Sequence, residues 1–338
     1  MLIFQITLFV TFIFLILGYS YMLITPSLLI GYTPIITYIK TLAQSFFTQV
    51  MISGFKTKFK LAKSDQDIKK LINENTDLID IIICNHTSII DFLVIMSYLQ
   101  HFNIDSYNFV LKNQIIYTPG FGLIMYANPD IKLNRNWNQD KFSVSKQLDK
   151  IKLNGSKQVI LIFPEGTRLT DSKLKEGHVF STKNNLPIFT NLLVPKSKGL
   201  WAIVNHLKET NKLGRIWDVT LSIPKFIGKT SFSSDIFGKP IGDICTVWRE
   251  IAIYSDYKDM DKFKKWLIDL WVTKDSFMNN YKNLIYDNIQ PDTNIKLSAK
   301  ISIIITLVAS CWLTINKYGR YYLLFSLLLT YILIFFKL

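Results

Sequence analysis

The sequence predicts an α/β domain held between apolar chain ends, and three observations predict it. Short apolar runs alternate with longer amphipathic ones between about residues 40 and 294, the stretch from Met1 to Ile39 carries no charged side chain, and a second apolar region starts at Ile301. Strands alternating with helices argue for helices layered on a sheet.

Leu2 to Leu23 is long enough to cross the roughly 30 Å hydrocarbon core of a bilayer as a helix. A signal peptide is the competing reading, but no basic n-region precedes the run and no small-residue cleavage site follows it, so an uncleaved anchor is expected. Pro26 and Pro34 divide the next stretch, and Ser27 to Ile39 reads as a second, shorter helix lying in the interface or returning toward it. Lys40, Lys56, Lys58, Lys60 and Lys63 come before the first acid, Asp65. By the positive-inside tendency that flank and the domain after it face the cytosol.

Within the domain the strand-like runs are Leu78 to Cys84, Asn108 to Leu111, Asp130 to Leu133, Gln158 to Phe163, Asn191 to Val194 and Trp217 to Ile223. Helix-like segments are Ser88 to Leu99, Gln139 to Leu153 and Met260 to Tyr281. At the far end, Ile301 to Asn316 and Tyr321 to Phe336 are 16 residues each between cations, about 24 Å of helix at ~1.5 Å per residue. That is short for a span, so a thin hairpin and a re-entrant or interfacial pair both fit. The expected organisation is a membrane anchor over 1–39, a cytosol-facing domain over 40–294 and membrane segments over 295–338.

Of the 338 residues 49% are hydrophobic, yet the net charge is +14. That pairing points to a membrane surface or an anionic lipid as partner. Nucleic acid is disfavoured, because no Cys/His finger, basic heptad region or aromatic RNA-binding strand is present. Cys84, Cys245 and Cys311 stand alone, as do His86, His101, His178 and His206, which gives neither a disulfide framework nor metal-ligand spacing. No cofactor is expected, and any catalysis should be metal-free.

The run Leu78-Ile-Asp-Ile-Ile-Ile-Cys84 ends abruptly at Asn85-His86-Thr87-Ser88-Ile89-Ile90-Asp91. His86 therefore sits at a strand end, where α/β folds commonly expose functional groups. Inside one helix His86 and Asp91 would lie about 140° apart at ~100° per residue; with His86 on the turn and Asp91 in the first helical turn they can meet. A carboxylate beside imidazole fixes its tautomer and stabilises the imidazolium, as a general base requires. The same string also reads as a Ser-x-x-Asp helix-capping pattern, with Asn85 or His86 closing the strand.

A second apolar run delivers Phe163-Pro-Glu165-Gly166-Thr167-Arg168 to the same kind of edge. Gly166 allows close backbone approach and Arg168 offers a planar fork to phosphate oxygens; the plainer reading is a solvated Pro-Glu-Gly turn. Lys112 follows one strand, Arg135 sits in Ile131-Lys-Leu-Asn-Arg-Asn-Trp137, and Leu193-Val-Pro195-Lys-Ser-Lys-Gly199 again puts a turn and cations at a strand end. Each of these cations is, alone, as well explained by solvation.

Together these strings resemble the glycerolipid acyltransferase family, specifically the 1-acylglycerol-3-phosphate acyltransferases and the eukaryotic relatives acting on lysophosphatidylinositol or lysocardiolipin. The resemblance runs through Asn85-His86 to Asp91, Lys112 to Arg135-Asn136-Trp137, Phe163 to Arg168, and Val194-Pro195-Lys196-Ser197-Lys198-Gly199. Trp217-Asp-Val-Thr220 and Lys265-Trp-Leu267 through Lys274-Asp275 look like the eukaryotic branch, and the whole covers roughly 75 to 285. It implies a mixed sheet flanked by helices, with His86 as catalytic base and Asp91 as its partner. It also implies that Glu165, Gly166, Thr167 and Arg168 form the acceptor-phosphate loop, with Lys112, Arg135 and Pro195 beside it. The implied donor is acyl-coenzyme A, the acceptor a lysophospholipid, and the setting the endoplasmic reticulum membrane. Phe92 stands where that branch usually has Trp, Ile89 where an acid is frequent and Lys196 where Arg is frequent, which bears on acceptor identity more than on reaction class. Cys84 and Ser88 are conceivable nucleophiles, but the first is in a strand and the second suits a helix cap, and the Gly-x-Ser-x-Gly elbow of a Ser/His/Asp hydrolase is absent.

Overall fold

The computed structural model describes residues 57–291 except 65–66, 89, 119–124, 127, 154, 224–241 and 253–257, together with positions 48, 52, 308, 315–322 and 324. Nearly all of the two apolar chain ends lies outside these residues. Among the described residues no helix is long and apolar enough to cross a membrane.

In chain order the elements are β1 (Lys58–Ala62), α1 (Ile68–Asn73), β2 (Ile79–Cys84), α2 (Asp91–His101), β3 (Ser106–Lys112), β4 (Ile131–Leu133), α3 (Trp137–Leu148), β5 (Gln158–Ile162), α4 (Asp171–Lys183), α5 (Ser197–Glu209), β6 (Leu213–Ser222), β7 (Asp243–Ile251), α6 (Met260–Asn280) and β8 (Tyr286–Ile289). The strands form one mixed sheet in the order β4-β3-β5-β2-β6-β7-β1-β8. β4, β3, β5, β2 and β6 are mutually parallel, so their carboxyl ends share one edge. β7 turns back antiparallel to β6 and pairs with β1 in parallel, and β8 closes the far side antiparallel to β1.

Both faces of the centre are covered, and the side-chain period of two divides the apolar residues between them. Ile82, Cys84, Val159 and Leu161 pack on one face against Val94, Ile95, Tyr98 and Leu99 of α2. Ile81, Ile83, Ile160 and Ile162 pack on the other against Leu148 of α3, Ile203 of α5 and Trp271 of α6. Every residue of β2 is buried, so truncating Ile82 to Ala would cost about 2–5 kcal/mol. A polar anchor holds the amino end of this centre. Asp80 pairs with Lys157 at 2.6 Å and accepts from the Trp217 indole at 2.8 Å, an arrangement that compensates two buried charges. A Cβ on Gly214 would stand 2.2 Å from Asp80 Oδ1, so only glycine fits there.

Two expected elements differ. Asn191 to Val194 is not a strand: Leu192 and Leu193 are buried, but carboxylates rather than a ladder satisfy the backbone, with Asp275 accepting from Thr190 N and Asn191 N at 3.0 and 2.8 Å and Glu165 from Leu193 N at 3.3 Å. The helix expected to reach Leu153 stops at Leu148, where the Ile151 amide bonds back to the Leu148 carbonyl at 3.0 Å. Ile151 is nonetheless buried, so the apolar pattern outlasts the helix.

Candidate active site

The carboxyl edge of the parallel strands gathers the singled-out residues. β2 ends in Cys84, and the Asn85 side chain continues its pairing with β6: Nδ2 donates to Leu221 O at 2.9 Å while Oδ1 accepts from Leu221 N at 2.8 Å. Asn85 is thus a strand-closing residue, and His86 is the first residue free to leave the sheet.

Four contacts fix His86. Its amide donates to Glu165 Oε1 at 3.1 Å, and its carbonyl accepts from Leu169 N at 2.8 Å. Its ring stacks on Phe163 with centroids 4.5 Å apart and planes 26° apart, and Nδ1 lies 2.9 Å from Asp91 Oδ2. With Nδ1–H committed to the carboxylate, Nε2 carries the lone pair. The side chain is 23% exposed.

Asp91 is fully buried in the first turn of α2. Besides His86 its carboxylate accepts from the Thr87 and Ser88 amides and from Thr87 Oγ1, which offsets the cost of burying the charge. Its bond to Ser88 N is 2.8 Å long. The Ser-x-x-Asp capping pattern is not realised, since α2 begins at Asp91 with Ile90 as its N-cap and no side-chain cap bond; the carboxylate instead orients the imidazole and closes the turn 87–88 that precedes the helix.

The segment 163–169 folds over this pair. Glu165 is 2% exposed, with its oxygens taking the His86 and Leu193 amides at 3.1 and 3.3 Å. Burial pushes its carboxyl up to about 8, against the pull of those two amides. It lies beneath the loop, joining the His86 turn to the Leu193-Val-Pro195 segment. Gly166 takes φ +68°, the left-handed region that favours glycine, and its carbonyl accepts from the Arg135 guanidinium. Thr167 and Arg168 are half-buried at the same edge.

Arg135 is aimed by its own corner. Asn134 N donates to Asp140 at 2.8 Å, Arg135 takes φ +63°, and Asn136 caps α3 through Asn138 N at 3.1 Å. Lys112, the exposed last residue of β3, pairs in register with Leu133 of β4. Pro195 is buried, and Lys196 N donates to Pro164 O at 2.8 Å, which lays this segment beside 163–165. The Lys196 ammonium would be 3.5 Å from a Cβ on Gly166. Its pKa is lowered by burial, then by the charges of Arg135 and Lys173. Cations therefore converge on Gly166 next to a poised imidazole, an arrangement suited to holding an anion while a nearby hydroxyl loses its proton.

Sequence reasoning gave no role to Phe163, although the signal was present: on β2 and β5 the alternation that puts Cys84 and Leu161 on one face carries His86 and Phe163 to that face as well. It also gave no role to the buried cluster in which Asp218 pairs with Lys274 at 2.6 Å and with Arg249. Lys274 also donates to Val219 O at 2.6 Å, beside Cys84 in the register of β2 and β6.

The Acyltransferase family model matches residues 71–211. 1-Acyl-sn-glycerol-3-phosphate acyltransferase 2 of Arabidopsis thaliana is 29% identical over 255 residues, 73% of this chain and 63% of that protein. Lysophosphatidylinositol acyltransferase 10 of Caenorhabditis elegans is 27% identical over 213 residues, 62% of this chain and 54% of that protein. The chain thus spans less than two thirds of the length of these relatives. The crystal structure of the 1-acyl-sn-glycerophosphate (LPA) acyltransferase from Thermotoga maritima is 15% identical, with 80% of this chain and 96% of that one covered at a TM-score of 0.46. The matched residues 71–211 include His86, Asp91, Arg135 and the Glu165-to-Arg168 loop, so the part of the chain that carries the candidate site is the part similar to acyltransferases.

Proposed function

We propose that the chain transfers a fatty acyl group from acyl-coenzyme A to the sn-2 hydroxyl of 1-acyl-sn-glycerol-3-phosphate, giving phosphatidic acid. The observation that carries this reading is the His86–Asp91 contact of 2.9 Å at the edge where Arg135 and Lys196 flank Gly166. In this mechanism His86 Nε2 takes the acceptor's hydroxyl proton as the oxygen attacks the thioester carbonyl. The C–O bond forms and the C–S bond breaks, and the leaving thiolate receives the proton from the imidazolium that Asp91 stabilises. Arg168, Arg135 and Lys112 hold the acceptor phosphate, with Gly166 and Thr167 shaping the loop and Pro195 supporting it from behind. No acyl-enzyme and no metal is required.

A second acceptor, lysophosphatidylinositol, is favoured by the nearly equal similarity to the relative named for it. Membranes expressing the chain, given labelled acyl-coenzyme A and each lysophospholipid in turn, separate the two. Label entering phosphatidic acid fastest supports the first reading, and no transfer to any acceptor supports a catalytically inactive lipid-binding protein.

The setting proposed is the endoplasmic reticulum membrane, with residues 40–294 toward the cytosol. Exposed Ile315, Tyr318, Tyr321 and Leu324 support a lipid contact at the carboxyl end. Protease added outside sealed microsomes should degrade the domain, and protection would reverse the orientation.

A further inference from the structure

Of the thirteen residues of α4 only Ser181 is buried. At ~100° per residue Leu174, Gly177, His178 and Ser181 share one sector. That sector is turned to the protein: Ser181 is 1% exposed, and the His178 imidazole Nε2 lies 2.8 Å from the Phe189 carbonyl oxygen. The opposite sector carries Lys175, Val179, Lys183 and Phe180. Val179 is 71% exposed and Phe180 51%, and Ile188, in the loop that follows, is 57% exposed. The acid in this sector, Glu176, is neutralised by Lys173 at 2.6 Å. What remains is large apolar side chains between two lysines.

We infer that this outward face of α4 lies on the surface of an anionic lipid bilayer, with Val179 and Phe180 in the acyl boundary and Lys175 and Lys183 among the headgroups. Apolar groups left in water mark a contact surface, and lysines beside them can run their stems along the apolar layer while the ammonium stays at the phosphates. The charge of the whole chain, +14, has the sign that an anionic leaflet attracts. The helix begins at Asp171, just after Arg168, so its lipid face would be continuous with the loop that holds the lipid headgroup. The inference rests on the membrane reading proposed above.

The test uses the full chain reconstituted in vesicles of phosphatidylcholine and phosphatidic acid, with an environment-sensitive fluorophore on one cysteine in a Cys311→Ser background. Cys84 and Cys245 are buried and inert to the label. The probe is placed by Phe180→Cys, by Tyr321→Cys as a check on the membrane reading, and by Glu209→Cys at the exposed end of α5. Position 180 should show blue-shifted emission and quenching by brominated lipids, and position 209 neither. Aqueous emission at 180 with quenching at 321 overturns the inference and leaves the membrane reading standing, whereas aqueous emission at both sinks both. Blue-shifted emission at 180 that brominated lipids do not quench also overturns it, since another protein surface would then cover α4.

Discussion

Glu165 Oε1 accepts the backbone amide of His86 at 3.1 Å, so the loop over the site and the turn that carries the imidazole are one unit. Burial, against the pull of that bond, makes this carboxyl a reporter of pH. Burial raises it from the ordinary 4.5 to about 8. Between those values the folded chain binds more protons than the unfolded one, so this contribution to stability is full below about pH 4.5 and is lost as pH rises toward 8. Melting temperature should fall across that window by on the order of several degrees. Glu165→Gln should flatten the slope, and an unchanged slope in the variant would remove Glu165 as its source.

Asp91→Asn replaces an obligate acceptor by an amide that can donate to Nδ1, which turns the imidazole to the tautomer with Nε2 protonated. Turnover should drop roughly 10²–10⁴-fold. The lost charge-assisted bonds to the Thr87 and Ser88 amides should cost about 1–3 kcal/mol of stability as well. Activity per folded molecule, corrected by the melting curve, separates the two effects. A stability loss with activity per folded molecule retained would leave only the role of closing the turn before α2.

Arg168→Lys keeps the charge and loses the planar fork. With one charge-assisted bond to phosphate worth about 1.5–3 kcal/mol, the acceptor KM should rise at least roughly tenfold while the acyl-coenzyme A KM stays put. Steady-state kinetics with each substrate varied in turn decides it, and the reverse pattern would assign Arg168 to the donor's phosphates.

Gly214→Ala drives a methyl group into Asp80, 2.2 Å away, at the opposite edge of the sheet from His86. Destabilisation of about 1–3 kcal/mol is expected by chemical denaturation. KM for both substrates should be unchanged in the molecules that fold, and a shifted acceptor KM would connect this anchor to the site.

The central strands and the His86–Asp91 pair were legible because β2 and β5 are buried on both faces and read as unbroken apolar runs that stop at polar turns. β1 and β7 were not, since Lys-Phe-Lys-Leu-Ala and Asp-Ile-Cys-Thr-Val-Trp-Arg-Glu-Ile mix charge into the strand. α4 left no periodic stripe because it buries almost nothing, and α5 was hidden by its start, Ser197-Lys-Gly, which reads as a turn. The false strand at Asn191 to Val194 shows the converse: burial makes an apolar run, but Asp275 and Glu165 took the backbone amides that a ladder would have used. That Glu165 lies beneath the loop follows from contacts across 79 and 28 residues of chain, which local pattern does not carry.

The central claim is that His86 Nε2 is the base for acyl transfer to a lysophospholipid hydroxyl. The measurement that tests it most directly is transfer of labelled acyl groups from acyl-coenzyme A to 1-acyl-sn-glycerol-3-phosphate by purified wild type and His86→Ala. The variant should insert in membranes while turnover per folded molecule falls by roughly 10²–10⁴-fold, and the melting curve accounts separately for the lost stacking on Phe163 and the lost bond to Asp91. Near wild-type turnover in a folded His86→Ala variant would contradict the account.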